Sequence, residues 1–175
     1  MSNLKTSVFL DETGIMLGLN RTHARSQVGT RACDFKPFYR AAKVTVIGAI
    51  SLSKLLAVMT LNDSRDGAEF SVFIERCLCS QLWKGAVVVR DNLPAHQVAP
   101  IVPMIEAVGA PVIYLSAYSP DFNPIELGWS QLKSFLRTFA PMTPEMIDRI
   151  IAVALHLINA VQLKNWFTKC CYCTS

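Results

Sequence analysis

Hydrophobic positions along this chain recur with two periods, and the switches between them mark out the elements. Residues 6–11 (TSVFLD) read as a short strand that ends on an acid, and the aliphatic runs 44–52 and 55–61, split by a short Ser-Lys turn, read as a hairpin. After the turn-like stretch 63–67, Phe70, Phe73, Ile74, Cys77 and Leu78 recur at helical spacing. They predict an amphipathic helix of about four turns that packs on the sheet. Residues 86–91 (AVVVRD) form a continuous apolar run ending in an acid, the pattern of a strand buried on both faces whose carboxyl end opens on a crevice.

Pro94, Pro100 and Pro103 delay the next helix, which the pattern places over 100–108, with Gly109 ending it and 111–115 supplying another strand. Asn123-Pro124-Ile125-Glu126 is a helix start, with Asn as N-cap, Pro at the first position and an acid in the first turn. The apolar face of that helix is Ile125, Trp129, Leu132, Leu136 and Phe139, while Glu126, Ser130, Lys133 and Arg137 form a separate polar stripe that core packing does not require. A last helix, 143–161, starts at Thr143-Pro144 and buries Ile147, Ile150, Ile151, Ala154, Leu155 and Ile158. These elements predict one α/β domain spanning 1–175, with a core over 6–139 and no repeats or linkers.

Composition narrows the class. A hydrophobic share of 51% against 17% charged residues is the make-up of an ordered interior rather than of a disordered chain, and 175 residues suffice for one such core. The longest apolar stretches, 44–61 and 150–158, are broken by Ser51, Ser53 and Lys54 or by His156 and fall short of a membrane span. Residues 1–6 carry no secretory signal, so the expected location is the cytoplasm, with no membrane partner. In that setting the six cysteines are expected as free thiols, and the Cys170/Cys173 pair lacks the further ligands a zinc site needs.

The net charge of +4 is unevenly placed: residues 20–43 hold Arg21, Arg25, Arg31, Lys36, Arg40 and Lys43 against Asp34, which makes that segment +5 and the rest −1. It reads either as a solvated loop or as a surface for a polyanion, since clustered Lys and Arg gain affinity for phosphates by releasing counterions.

Three acids stand out by position: Asp11 and Asp91 at the ends of predicted strands and Glu126 in the first turn of a helix. Converging carboxylates are costly unless a hard cation such as Mg²⁺ neutralises them, and a pair of such ions can serve phosphodiester cleavage and transfer. Each acid also has a plain structural reading. Asp11 fits a turn before Thr13-Gly14, Asp91 an Asx-turn with Asn92-Leu93-Pro94, and Glu126 a capping box on Asn123. Position alone leaves both readings open.

Residues 91–96 (DNLPAH) and 118–126 (YSPDFNPIE), followed by Trp129-Ser130-Gln131-Leu132-Lys133, closely resemble bacterial insertion-sequence transposases related to the mariner superfamily. The opening FLDETG at 9–14 is similar to the family's first acidic motif, and the 34 residues between Asp91 and Glu126 match the family's spacing. The resemblance runs from about residue 6 to 139. It implies a ribonuclease H-like mixed sheet, three antiparallel strands followed by alternating helices and strands. It further implies a DDE endonuclease that cuts and joins DNA in transposition, with Asp11, Asp91 and Glu126 as catalytic ligands of two Mg²⁺ or Mn²⁺ ions.

On the same basis Asn92 and His96 are expected to orient the second acid or contact phosphate, and Lys133, two turns beyond Glu126, and Arg137 to meet DNA phosphate, together with Arg21, Arg25, Lys36 and Arg40. Glu12 is expected on the opposite side of its strand, and Asp121 as a structural turn residue. The implied partners are transposon ends and target DNA, in the nucleoid, with the chain as a homodimer or beside a separately encoded helix-turn-helix subunit. Family members carry an N-terminal helix-turn-helix region, and none is legible here before the first strand, so the expectation is the catalytic half of a two-frame transposase or a fragment. Two alternatives stay open: a catalytically silent remnant that binds DNA and inhibits a full-length transposase, and a structure-specific ribonuclease H-like nuclease.

Overall fold

The computed structural model describes residues 6–19, 23–33, 43–62, 67–91, 101–116 and 119–172. Its centre is a five-stranded sheet of β1 (Ser7–Met16), β2 (Lys43–Ser51), β3 (Leu55–Asn62), β4 (Val87–Arg90) and β5 (Val112–Tyr114), in the order β3-β2-β1-β4-β5. β1, β2 and β3 pair antiparallel, whereas β4 joins β1 and β5 joins β4 in parallel. This is the mixed arrangement expected of a ribonuclease H-like fold, and it puts β1 and β4 side by side at the centre.

Helices cover both faces because the central strands are apolar on both. On one face Phe9, Val46, Ile50 and Val89 pack against α3 (Pro124–Phe139), α4 (Pro144–His156) and α5 (Ala160–Lys169). On the other, Val8, Leu10, Ile47 and Val88 meet Phe70, Phe73, Ile74 and Leu78 of α1 (Gly67–Phe73) and its continuation, with α2 (Ile101–Ala107) beside them. The helical run begun by α1 continues as a π-type turn at Ile74–Leu78 and a 3-10 turn at Cys79–Gln81. Gly109, at φ 80°, supplies the left-handed residue after α2.

Four expectations need correction. β1 does not stop at Asp11: its ladder with β2 runs from Val8↔Ser51 to Met16↔Lys43, so backbone hydrogen bonding carries the strand through Thr13-Gly14. Asp11 is therefore a mid-strand residue that lies past the end of the shorter β1–β4 ladder. Phe139 is exposed, stacked at a tilt on Phe135 rather than buried in the core.

The single helix 143–161 is instead two helices, α4 and α5, set at 89°. Asn159 restarts the chain by a capping box, accepting from Gln162 N at 3.0 Å while the Gln162 side chain accepts from Asn159 N at 3.0 Å. Finally, Asn123 holds the N-cap position of α3 but makes no side-chain cap bond. Its side chain is used elsewhere, as described below.

Cys33, Cys77, Cys79, Cys170 and Cys171 are free thiols, as expected, and Cys173 lies outside the described residues. Among the described residues no single helix is long and apolar enough to cross a membrane.

Candidate active site

The two central strands and the start of α3 place the acids. Leu10 pairs with Arg90 in the parallel β1–β4 ladder, so Asp11 and Asp91 are the next residues along two adjacent strands. α3 crosses the same face of the sheet, burying Ile125 and Trp129, and its first turn presents Glu126. Asp91 is half-buried and Glu126 exposed.

Asp11 is the buried member, with 8% of its surface exposed. Its Oδ1 accepts from the Glu12 backbone N–H at 2.8 Å, and its Oδ2 accepts from Asn123 Nδ2 at 3.1 Å and Trp129 Nε1 at 3.3 Å. Even with these donors the carboxyl group is pushed up to about 7, first by burial, then by the negative charge of Glu126. Asp91 adds to the rise, whereas the Glu12 N–H and the Trp129 indole oppose it. Asp11 thus lies in the field of the two other acids. Among the described residues no three Asp, Glu, His or Cys side chains close around a single point as a ready-made cation cage.

Beneath the site is a residue that sequence reasoning passed over. Arg90 is only 2% exposed, and its guanidinium lies 5.4 Å from the centre of the Phe70 ring and 5.9 Å from that of Tyr114. It shares the Leu10 and Val88 face of the sheet, opposite Asp11. Burial lowers its proton affinity, and the charges of Tyr114, Asp91, Glu12 and Asp11 raise it. Glu12 pairs with Ile47, which packs with Leu10 and Val88, so Glu12 falls on the far side of the strand from Asp11. An arginine inside the run AVVVRD was the available signal, since a buried charge requires partners.

Asn123 and Trp129 were also legible only in part, one as a cap and the other as core. Asn123 is 4% exposed, and its Oδ1 is buried with no hydrogen-bond partner among the described residues. For Trp129 the signal was the indole N–H, which needs an acceptor once buried.

Of the residues expected at DNA, Lys133 and Arg137 are half-buried on α3, beyond Glu126, and Arg25 is exposed in the connection between β1 and β2. Arg21, Lys36, Arg40, Asn92 and His96 lie outside the described residues. Asp121 is exposed in the 3-10 turn Pro120–Phe122 that leads into α3.

This architecture matches that of solved transposases. It superposes on a Mos1 transposase paired-end complex with left transposon end at a TM-score of 0.80 and 17% identity, over 95% of this chain and 52% of that one. A Mos1 mariner paired-end complex with Mn gives 0.78 and 17%, over 97% and 54%. The catalytic domain of Mos1 mariner transposase gives 0.70 and 15%, over 95% and 78%. The chain spans about half the length of the transposase in the first two. No curated protein sequence matches it. The sequence model of the DDE superfamily endonucleases matches residues 6–145. With four-fifths of its length covered by that model, the chain belongs to the DDE superfamily of endonucleases.

Proposed function

We propose that this chain is the catalytic domain of a DNA transposase, with Asp11, Asp91 and Glu126 as its metal-ligating acids. One observation carries the reading: Asp11 is buried in the field of the two other acids, and its carboxyl is pushed up to about 7. The nearby acids and burial work against the charged form of an aspartate there, whereas a divalent cation among the three would favour the charged form of each. The donor set fits: carboxylate oxygens are the ligands that Mg²⁺ and Mn²⁺ prefer, and Asn123 Oδ1, which has no hydrogen-bond partner among the described residues, adds a neutral oxygen nearby. Mos1 catalytic-domain structures with Mg and with Mn support the choice of ion.

When bound, a pair of such ions supplies Lewis-acid activation of an attacking water or 3′-hydroxyl and stabilises the leaving oxygen. The chain's own part is to hold the three carboxylates on rigid elements and to receive the phosphate backbone. Lys133 and Arg137 follow Glu126 along α3 and would meet phosphate beside the acids, and Arg25 extends the basic surface. The substrates on this reading are transposon ends and target DNA, with the chain acting as a homodimer or beside a helix-turn-helix subunit. Asn92 and His96 would orient Asp91 or contact phosphate.

Incubation with element-end DNA and Mg²⁺ or Mn²⁺ tests the proposal. Nicking by the wild type that Asp91→Ala abolishes is the expected result. No nicking by either protein overturns it, and salt-dependent DNA binding without cleavage would point to a silent remnant.

A further inference from the structure

Asp11 stands directly opposite Gly48 in the β1–β2 ladder. A Cβ at position 48 would lie 2.6 Å from Trp129 Cη2, closer than carbon atoms approach, and a tight 3.2 Å from its Cζ2. The indole of Trp129 thus fills the space that a side chain on β2 would take, and from that seat its Nε1 reaches Asp11 Oδ2 at 3.3 Å. Asn123, six positions earlier at the start of the same helix, donates to the same oxygen at 3.1 Å. With Glu12 N on Oδ1, donors hold both carboxylate oxygens, and the plane of the group is set. Packing over Gly48 calls for a large ring, but it does not call for the Nε1–H that Trp129 aims at Asp11.

We infer that Trp129, seated on Gly48, is a positioning residue that acts with Asn123 to orient Asp11 toward its metal ions. The inference rests on the reading of Asp11 as a metal ligand. Groups that orient a ligating carboxylate typically contribute about 10–100-fold to metal affinity or activity. Gly48 is then glycine because the indole needs its place, and β2 takes part in the site without contributing a side chain.

Mn²⁺ titration followed by electron paramagnetic resonance tests this on the folded chain, with wild type, Asp11→Asn, Trp129→Phe, Gly48→Ala and the Gly48→Ala/Trp129→Phe double variant. Trp129→Phe and Gly48→Ala are each expected to weaken Mn²⁺ binding by about 10-fold or more. Phenylalanine lacks the two indole atoms that crowd position 48. Gly48→Ala should therefore lower Tm when Trp129 is present and far less when Trp129→Phe is already in place, a coupling that independent sites would not show.

Should a variant not fold, the wild type answers alone. Mg²⁺ is expected to shift the Trp129 indole N–H resonance and to leave those of Trp83 and Trp166 in place. Wild-type affinity in Trp129→Phe, or an indole resonance unmoved at saturating Mg²⁺, overturns the positioning role and leaves the metal reading intact. A wild type that binds no Mn²⁺, or an Asp11→Asn variant that binds as well, overturns the metal reading and the positioning role with it.

Discussion

The side-chain amide of Asn123 reaches across 112 residues of sequence to donate to Asp11 Oδ2. This bond ties the start of α3 to the central strand and replaces the cap bond that Asn123 would otherwise make. Removing it by Asn123→Ala takes a buried donor from a carboxylate, at a cost of about 1.5–3 kcal/mol. Asn123→Asp keeps a good capping residue but puts a fourth acid beside Asp11, and should destabilise the metal-free protein more than alanine does. Urea unfolding in EDTA checks the order. If Asn123→Asp is the more stable of the two, capping outweighs the contact with Asp11.

Asp11 also sets a pH dependence. Its folded-state value, about 7, lies above the ordinary aspartate value of 3.8, so between these the folded protein binds more protons than the unfolded one. Stability from this group is therefore greatest at low pH and falls as pH rises from about 4 to about 7, by at most about 4 kcal/mol. The expected observation is a metal-free wild type whose Tm, relative to that of Asp11→Asn, drops between pH 5 and pH 8, with Mg²⁺ restoring it at the upper end. A difference that stays flat or grows with pH contradicts the burial argument.

The strand pattern was legible because alternation and apolar runs encode burial directly, and 44–52, 55–61 and 86–91 each became strands within a residue or two. The extent of β1 was not. Asp11, Thr13 and Gly14 look like a turn locally, and only pairing with the distant β2 keeps them extended. Nor was the break between α4 and α5 read from the apolar spacing, which continues through Leu155 and Ile158, although Asn159 and Gln162 had the capping-box signature. In the site, Asp11, Asp91 and Glu126 stood out by type and position. Asn123, Trp129 and Arg90 act through long-range contacts that spacing does not carry.

Arg90 is held by aromatic faces as much as by charge. Arg90→Lys keeps the charge but replaces a planar, weakly hydrated guanidinium with a compact ammonium that cannot stack on Phe70 and Tyr114. A loss of about 1–3 kcal/mol is expected, at the upper end of cation–π contributions because the site is desolvated. Denaturant unfolding of Arg90→Lys checks the magnitude. Stability equal to that of wild type would mean that charge alone keeps an arginine at this position.

The far end of α3 has a flaw that can be corrected. The helix carrying Asn123, Glu126 and Trp129 ends at Ala140, which adopts φ 44° and ψ 61° so that its N–H can bond to Leu136 O at 3.0 Å. A left-handed conformation costs a residue with a Cβ about 1–2 kcal/mol, and glycine escapes that cost while making the unfolded chain more mobile. Ala140→Gly should therefore stabilise the fold by up to about 1 kcal/mol, a rise of about 2–4 °C in Tm for a chain of this size. The substitution lies at the opposite end of α3 from Asp11, so Mn²⁺ affinity should stay at the wild-type value. Calorimetry of the two proteins decides it: an unchanged or lowered Tm would mean that the helix end carries no strain at Ala140.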